Sequence, residues 1–448
     1  ERFSMSIPIR KETQDKAFAG LYQRPATSGL SPRFLRECFN VDLRGGTLSR
    51  RGGTRRVNNT ALSGTQYGLF YARFASGTNE RLAAHGGNIS RVTREPAAVT
   101  SSIPTDWAAR VGGTTYWGML DNLVFIANSV DNDVKYNGTA LQKWGIEAPT
   151  IGAITPSAGS PSSTRRYIAT YYNSATGHEG PESTQSAATI LDNQQASVAS
   201  PATPTDGQID QWRLYAAIVT GARPGVFYRV GTANLGVAVV DTFTDALLQV
   251  RQPLEEFSNA APGGPLRLFT IHQGRIVAVA QADRSLLLIS DHDGFYSKPE
   301  SFPALNFVPV NYRDGDFITA LASLDDYLFI FKQFSIWAMI GSWPDITFKA
   351  VSYRPDNTAI GTIDQRAIYI FDRGIVFPSH DGIYLLKKGS GMNEDLFSTS
   401  KISNSIDDFY DQIDQSAAMH AAYDRSRRQY RFFCNFRTGQ NVNAPVIT

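Results

Sequence analysis

The sequence predicts an all-β protein, a β-propeller of about six blades with an immunoglobulin- or fibronectin-like β-sandwich inserted between blades. Three observations predict it. A unit of strand, tight turn and strand recurs at about 50 residues, beginning near Leu69, Tyr116, Leu268, Ile318, Ile368 and Met419. The apolar runs Leu286–Ile289, Tyr327–Phe331 and Gly374–Phe377 are strand-length, too short for helices and rich in β-branched and aromatic residues. The pattern then stops for about 110 residues before resuming at Pro265, which marks an inserted domain.

Each segment has its own signature. Residues 1–60 carry weak periodicity and the pairs Gly45-Gly46 and Gly52-Gly53, and are expected to form an extended basic arm. Residues 61–148 hold the first two blades; the second runs from Tyr116 through a turn at Asp121-Asn122 to Leu123–Ala127 and Val134–Tyr136. Ala148-Pro149, Pro156 and Pro161, with Gly and Ser between them, read as a linker. Residues 149–262 form the sandwich, whose strands are expected at Arg166–Tyr172, Trp212–Tyr215 and Phe227–Val230, the latter two half-buried. Residues 263–448 supply the remaining blades, with turns at His292-Asp293-Gly294, Gln333-Phe334-Ser335 and His380-Asp381-Gly382. One short helix is expected, over Asp407–Met419. A propeller must close to hide its sheet edges; no closing strand is visible after Phe436, so it is expected from the N-terminal arm or from residues further downstream.

Composition limits the function classes. The 448 residues are 42% hydrophobic and 11% aromatic, enough for real cores. No stretch approaches the roughly 20 apolar residues of a membrane span, and the N-terminus lacks an apolar signal region, so the chain is read as soluble. Cys38 and Cys434 stand at opposite ends; two free, buried thiols are expected, with a single bridge closing the propeller as the alternative. The net charge of +2 conceals an asymmetry: residues 1–60 carry +7 and the rest −5. Arg44, Arg50, Arg51, Arg55 and Arg56 among glycines are the candidate residues for assembly or DNA contact, because arginine pairs with phosphates and with a neighbour's carboxylates alike.

The motifs of catalysis are missing or out of place. Walker loops, GxGxxG after a strand and HExxH are absent, and the histidines at 85, 178, 272, 292, 380 and 420 do not cluster at ligand spacing. No cofactor, metal or catalytic residue is therefore assigned, and the histidines are read as turn or surface residues. Ser379-His380-Asp381 spells a triad, but consecutive residues cannot face one another as triad members do. Asp325-Asp326, Asp241 with Asp245, and Glu255-Glu256 are the available acid pairs for a carbohydrate-acting propeller enzyme, the alternative reading. Ser290–Tyr296 nearly imitates a sialidase aspartate box, with its aspartate and glycine at the wrong offset. The sequons at Asn58, Asn88 and Asn137 match chance frequency; a secreted lectin module is a third reading, against which the missing signal region and disulfides count.

Read in order, several motifs resemble one family. Cys38–Leu43 leading to Gly46–Gly53, then Tyr167–Tyr172, Gly180–Ser183, Trp212–Tyr215, Tyr228–Val230 and Asp241-Thr242, then Asp316–Leu321 with Leu328–Lys332 and Ser335–Trp337, resemble the tail nozzle proteins of short-tailed bacteriophages, also called tail tubular protein B. Packaged-DNA stabilisation proteins are a close relative of that family. The resemblance implies a non-enzymatic virion structural protein, located in the tail, that forms a hexameric ring below the portal. Its implied partners are further copies of itself, the adaptor or head-to-tail connector, the tail fibres, and double-stranded DNA passing without sequence specificity. The near-neutral chain suits a conduit that must not hold phosphates tightly. No counterpart of the distal nozzle-tip segments of longer members is visible.

Overall fold

The computed structural model describes residues 61–93, 111–221, 224–254, 259–292, 297–351, 360–371, 374–388, 397–417, 419–424 and 429–437 in full. It describes the backbone alone of 20–21, 34–35, 41–44, 47–50, 97–98, 100–101, 223, 352 and 446–447. Strands make up 52% of the chain and helix 5%, an all-β protein. It divides into two compact units, Val57–Ala359 and the combination of Glu1–Arg56 with Ile360–Thr448.

The first unit contains four antiparallel meander sheets. Sheet I comprises Gln66–Arg73, Asn79–His85, Asn88–Arg91 and Ala97–Ala98; sheet II comprises Tyr116–Leu120, Leu123–Ala127, Val134–Tyr136 and Ala140–Lys143. Thr100–Ser101 adds to the outer strand of sheet II in parallel, so the connection leaving sheet I stitches it to its neighbour. Sheet III comprises Leu266–His272, Arg275–Ala280, Leu286–Ile289 and Phe307–Pro309, and sheet IV Ile318–Leu324, Tyr327–Lys332, Ile336–Ser342 and Asp345–Ser352. The turns carry the expected chemistry. Asp121 and Asn122 take φ of 50° and 63°, the left-handed pair that a two-residue hairpin requires.

The sheets pack face to face in chain order. Leu82 and Ile89 of sheet I share a core with Val124, Ile126 and Tyr136 of sheet II. Phe125 and Trp144 share one with Phe269 and Ile276 of sheet III. Val277 and Leu287 of sheet III meet Leu321, Leu328 and Ile330 of sheet IV. A strand covered on both faces must be apolar throughout, which is why Leu123–Ala127 is buried at every position. The Tyr136 hydroxyl joins sheets I and II by polar contact, accepting from Arg91 Nη2 at 2.5 Å and donating to Glu80 Oε2 at 2.8 Å.

Between sheets II and III lies the inserted domain. One sheet pairs Ile154–Ala158, Gln194–Val198 and Val239–Asp241; the other is built on Ser163–Asn173 and Gln211–Thr220, flanked by His178–Glu182, Thr189–Leu191 and Tyr228–Asn234. Their inner faces enclose Tyr167, Ala169, Trp212, Leu214, Ala196 and Val198. The linker expected around Pro156 is therefore a strand. It lies at a sheet edge, where proline's missing N–H is tolerated. Nor is Gln211–Thr220 half-buried: Tyr215 and Ala217 pack with Phe227 and Leu254 on its second face.

In the second unit, sheet V (Tyr369–Phe371, Gly374–Ser379, Gly382–Lys388, Phe397–Lys401) and sheet VI (His420–Asp424, Gln429–Phe433, Val446–Ile447) share a core of Val376, Ile383, Tyr410, Met419 and Phe432. Val446–Ile447 forms the third strand of sheet VI, pairing with Phe432 and Phe433 of the same sheet. The helix expected over Asp407–Met419 is four residues, Asp407–Tyr410. It lacks a side-chain cap, and the chain is pulled out of it where Asp414 N–H bonds to the Asn435 carbonyl and Ile413 bridges Phe436. Cys434 is free and buried, and burial pushes its thiol up to about 12; Cys38 lies outside the described residues. Six meander sheets thus begin near the six expected positions, but no closed ring is detected among the described residues.

Trp144 is 1% exposed and wedged among Phe125, Phe269 and Phe302. Trp144→Ala is expected to cost about 3–5 kcal/mol by urea unfolding. Trp337, only partly buried, is expected to cost clearly less on the same substitution.

A polar cleft where the inserted domain meets sheets II and III

The inserted domain is fastened at its base by groups that accept or donate across it. Asp133, at the entry to the third strand of sheet II, accepts the Leu266 N–H at 3.0 Å with one oxygen and at 3.3 Å with the other, so the first strand of sheet III starts beside that entry. Gln208 donates to the carbonyls of Lys143 and Gly145, and Trp144 Nε1 donates to the Pro299 carbonyl at 3.0 Å. Deepest is an ion pair between Lys135 and Glu300, 0% and 2% exposed. A charge so buried is tolerable only when paired and hydrogen-bonded.

Above this base lies a cleft of about 570 Å³. The Asp121-Asn122 turn and Asn137 come from sheet II, Ala175–Glu179 from the sandwich, and Asn259 and Ser297–Glu300 from the approach to and loop of sheet III. Glu179 accepts from Arg213 Nη1 at 2.6 Å, from the Tyr215 hydroxyl at 2.8 Å and from the Thr170 hydroxyl at 2.5 Å. The Arg213 guanidinium carbon stands over the Tyr172 ring, 3.6 Å from its centre. His178, a side chain only 8% exposed, stands 4.0 Å from Glu300 Oε2, too far for a hydrogen bond. Burial pushes its imidazole below the ordinary range, against the opposing pull of Glu300. Burial also works to raise the Glu300 carboxyl, but Lys135 and His178 outweigh it and hold it low. The exposed Asp121 carboxyl is raised by partial burial.

The sequence candidates lie elsewhere. Arg44 and Arg50 stand at opposite ends of a hairpin, Arg44 opposite Thr47 and Arg50 opposite Val41; Arg51, Arg55 and Arg56 are outside the described residues, as are Glu255, Glu256 and the turn Asp293–Tyr296. Asp241 and Asp245 do meet, but on the fully buried Arg165, at 2.6 and 2.7 Å, where both are tied as structural acceptors. Asp325 and Asp326 form the turn between Leu324 and Tyr327. In Ser379-His380-Asp381 the members turn away from one another: His380 Nδ1 bonds to Gln415, and Asp381 accepts from Tyr384. Three histidines are not the surface or turn residues expected, since His85 and His272 are buried and the His178 side chain nearly so. No group of three metal-ligating side chains occurs among the described residues. The cleft itself escaped the sequence reading, and the one signal for it was a His-Glu pair next to Gly180-Pro181 within the insertion.

Two outcomes follow from these buried charges. Arg165→Met should cost about 3–5 kcal/mol by stranding Asp241, and Asp241→Leu added to it should recover much of that loss. The folded state holds His178, His272 and His420 below the ordinary imidazole range, so the unfolded chain binds more protons as pH falls through about 6.5. Their contribution is present above that pH and lost below it, and Glu300 adds a further loss at lower pH. Differential scanning fluorimetry should give a lower Tm at pH 5.5 than at pH 7.5, with a smaller drop in His178→Gln.

No protein-family model matches the sequence, and neither does any curated protein. Among solved structures, the chain is similar to Kluyveromyces lactis Hsv2 at 7% identity and TM-score 0.21, covering 76% of this chain and 98% of that one. It is similar to PorZ, a surface component of the type-IX secretion system of Porphyromonas gingivalis, at 10% identity and TM-score 0.25, covering 87% and 57% respectively. It is also similar to the PQQ-bound aldose sugar dehydrogenase of Streptomyces coelicolor at 11% identity and TM-score 0.19, covering 77% and 96%. Likenesses at this level carry no argument about function.

Proposed function

We propose that this chain is a structural subunit of a short-tailed bacteriophage tail nozzle, whose six meander sheets are the blades of a propeller and whose copies form a hexameric ring. In this reading the ring sits in the virion tail below the portal and adaptor, its lumen passes double-stranded DNA, and its outer surface seats tail fibres. The observation that carries the reading is the clamped insertion: Asp133 on Leu266 keeps sheets II and III neighbours while a whole sandwich projects from between them. A rigid stack with a fixed projection offers one surface for ring neighbours and another for tail partners, as a head-to-tail ring requires. The ordered sequence resemblance along the same modules supports it. The rival reading, a glycan-cleaving propeller, has less support, because Asp241 and Asp245 are both engaged by Arg165.

Native mass spectrometry and negative-stain averaging of the chain, alone and with its adaptor ring, test the proposal. A sixfold ring with a central channel is the expected result, and a persistent monomer under both conditions would overturn it. Arg50→Ala with Arg51→Ala should leave the monomer folded and weaken the ring.

A further inference from the structure

The polar cleft has features that the scaffold does not use. Three carboxamides in its wall are each pinned by their oxygen: Asn122 Oδ1 accepts the Ala75 N–H at 2.7 Å, Asn137 Oδ1 accepts the N–H groups of Thr139 and Ala140 at 2.9 Å, and Asn259 Oδ1 accepts the Ser301 hydroxyl at 3.0 Å. Each Nδ2 is thereby fixed in place with its two N–H donors uncommitted among the described residues. His178 Nε2 and Arg213 Nε are buried polar atoms of the same wall with no hydrogen-bond partner in the described residues. Such atoms are disfavoured unless something in the cleft meets them.

The charges, in contrast, are already answered internally. Glu300 is paired with Lys135, Glu179 with Arg213, and Lys298 with Asp291 at 3.3 Å. Asp121, whose carboxylate also meets Ser297, is the acceptor among the described lining side chains that no cation pairs. Fixed donors, one acceptor and neutralised charge do not select an ion; they match groups that donate and accept at once. The volume falls within the roughly 300–1,000 Å³ of small-molecule sites.

We propose that this cleft is a binding site for a neutral polyhydroxylated ligand, a saccharide, held by the fixed amides of Asn122, Asn137 and Asn259 and by His178. The neutral imidazole suits this role, since it can meet a hydroxyl as donor or acceptor and adds no charge that would draw an anion. The binding is independent of the ring-forming role, so either can fail without the other.

The test is isothermal titration calorimetry of the full chain with maltotriose, cellotriose and N-acetylchitotriose, and with inorganic phosphate as the anionic probe. Ala175→Trp fills the mouth from the exposed hairpin tip while leaving the Ala175 N–H on Asn173. Asn259→Asp keeps the acceptor for Ser301 and removes the donor. Saturable binding of at least one trisaccharide, weakened about tenfold or more in both variants with Tm unchanged, is expected. The proposal is overturned if none of the three trisaccharides binds, if both variants bind as the parent does, or if phosphate binds more tightly than all of them. Should Ala175→Trp lower the Tm, Asn259→Asp alone decides.

Discussion

The buried pairing of Lys135 with Glu300 is the constraint on which the first unit depends. The two residues are separated by the entire inserted domain, yet each is all but inaccessible to water. Taking both charges from solvent is costly, and the cost is offset only when they meet. That requirement fixes the Glu300 loop of sheet III against the third strand of sheet II, and Trp144 fills the apolar space around it. Long insertions cost little in chain entropy, but they do not position themselves. The ion pair, Asp133 on Leu266 and Gln208 on two carbonyls supply the positioning.

From this base the rest of the local architecture follows. Sheets I to IV bury both faces of their inner strands, so their stability lies in apolar packing between successive sheets. The sandwich instead mixes an apolar interior with the Arg165, Asp241 and Asp245 network at one end, where the polar groups contribute orientation more than energy. The cleft inherits its shape from both: rigid hairpins on one side, a charge-neutral floor on the other. His178 is caught between them, and its burial makes the junction a pH-sensitive part of the molecule.

The strands, turns and spacing were legible in the sequence by itself. Leu123–Ala127 is apolar because it is covered on both sides, and Asp121-Asn122 turns there because those residues tolerate positive φ. Such patterns depend on neighbours in the chain, so the sites where the six sheets begin and the interruption could be read without the fold. Pro156 misled because proline marks linkers and edge strands alike, and only pairing with Ala196 tells them apart. The tertiary structure alone decided that Lys135 would meet Glu300, that Arg165 would gather the two aspartates that the sequence offered as an acid pair, and that His178 would lose its solvent. Charge pairing and desolvation depend on what distant segments bring to within a few ångströms, and no local periodicity encodes that.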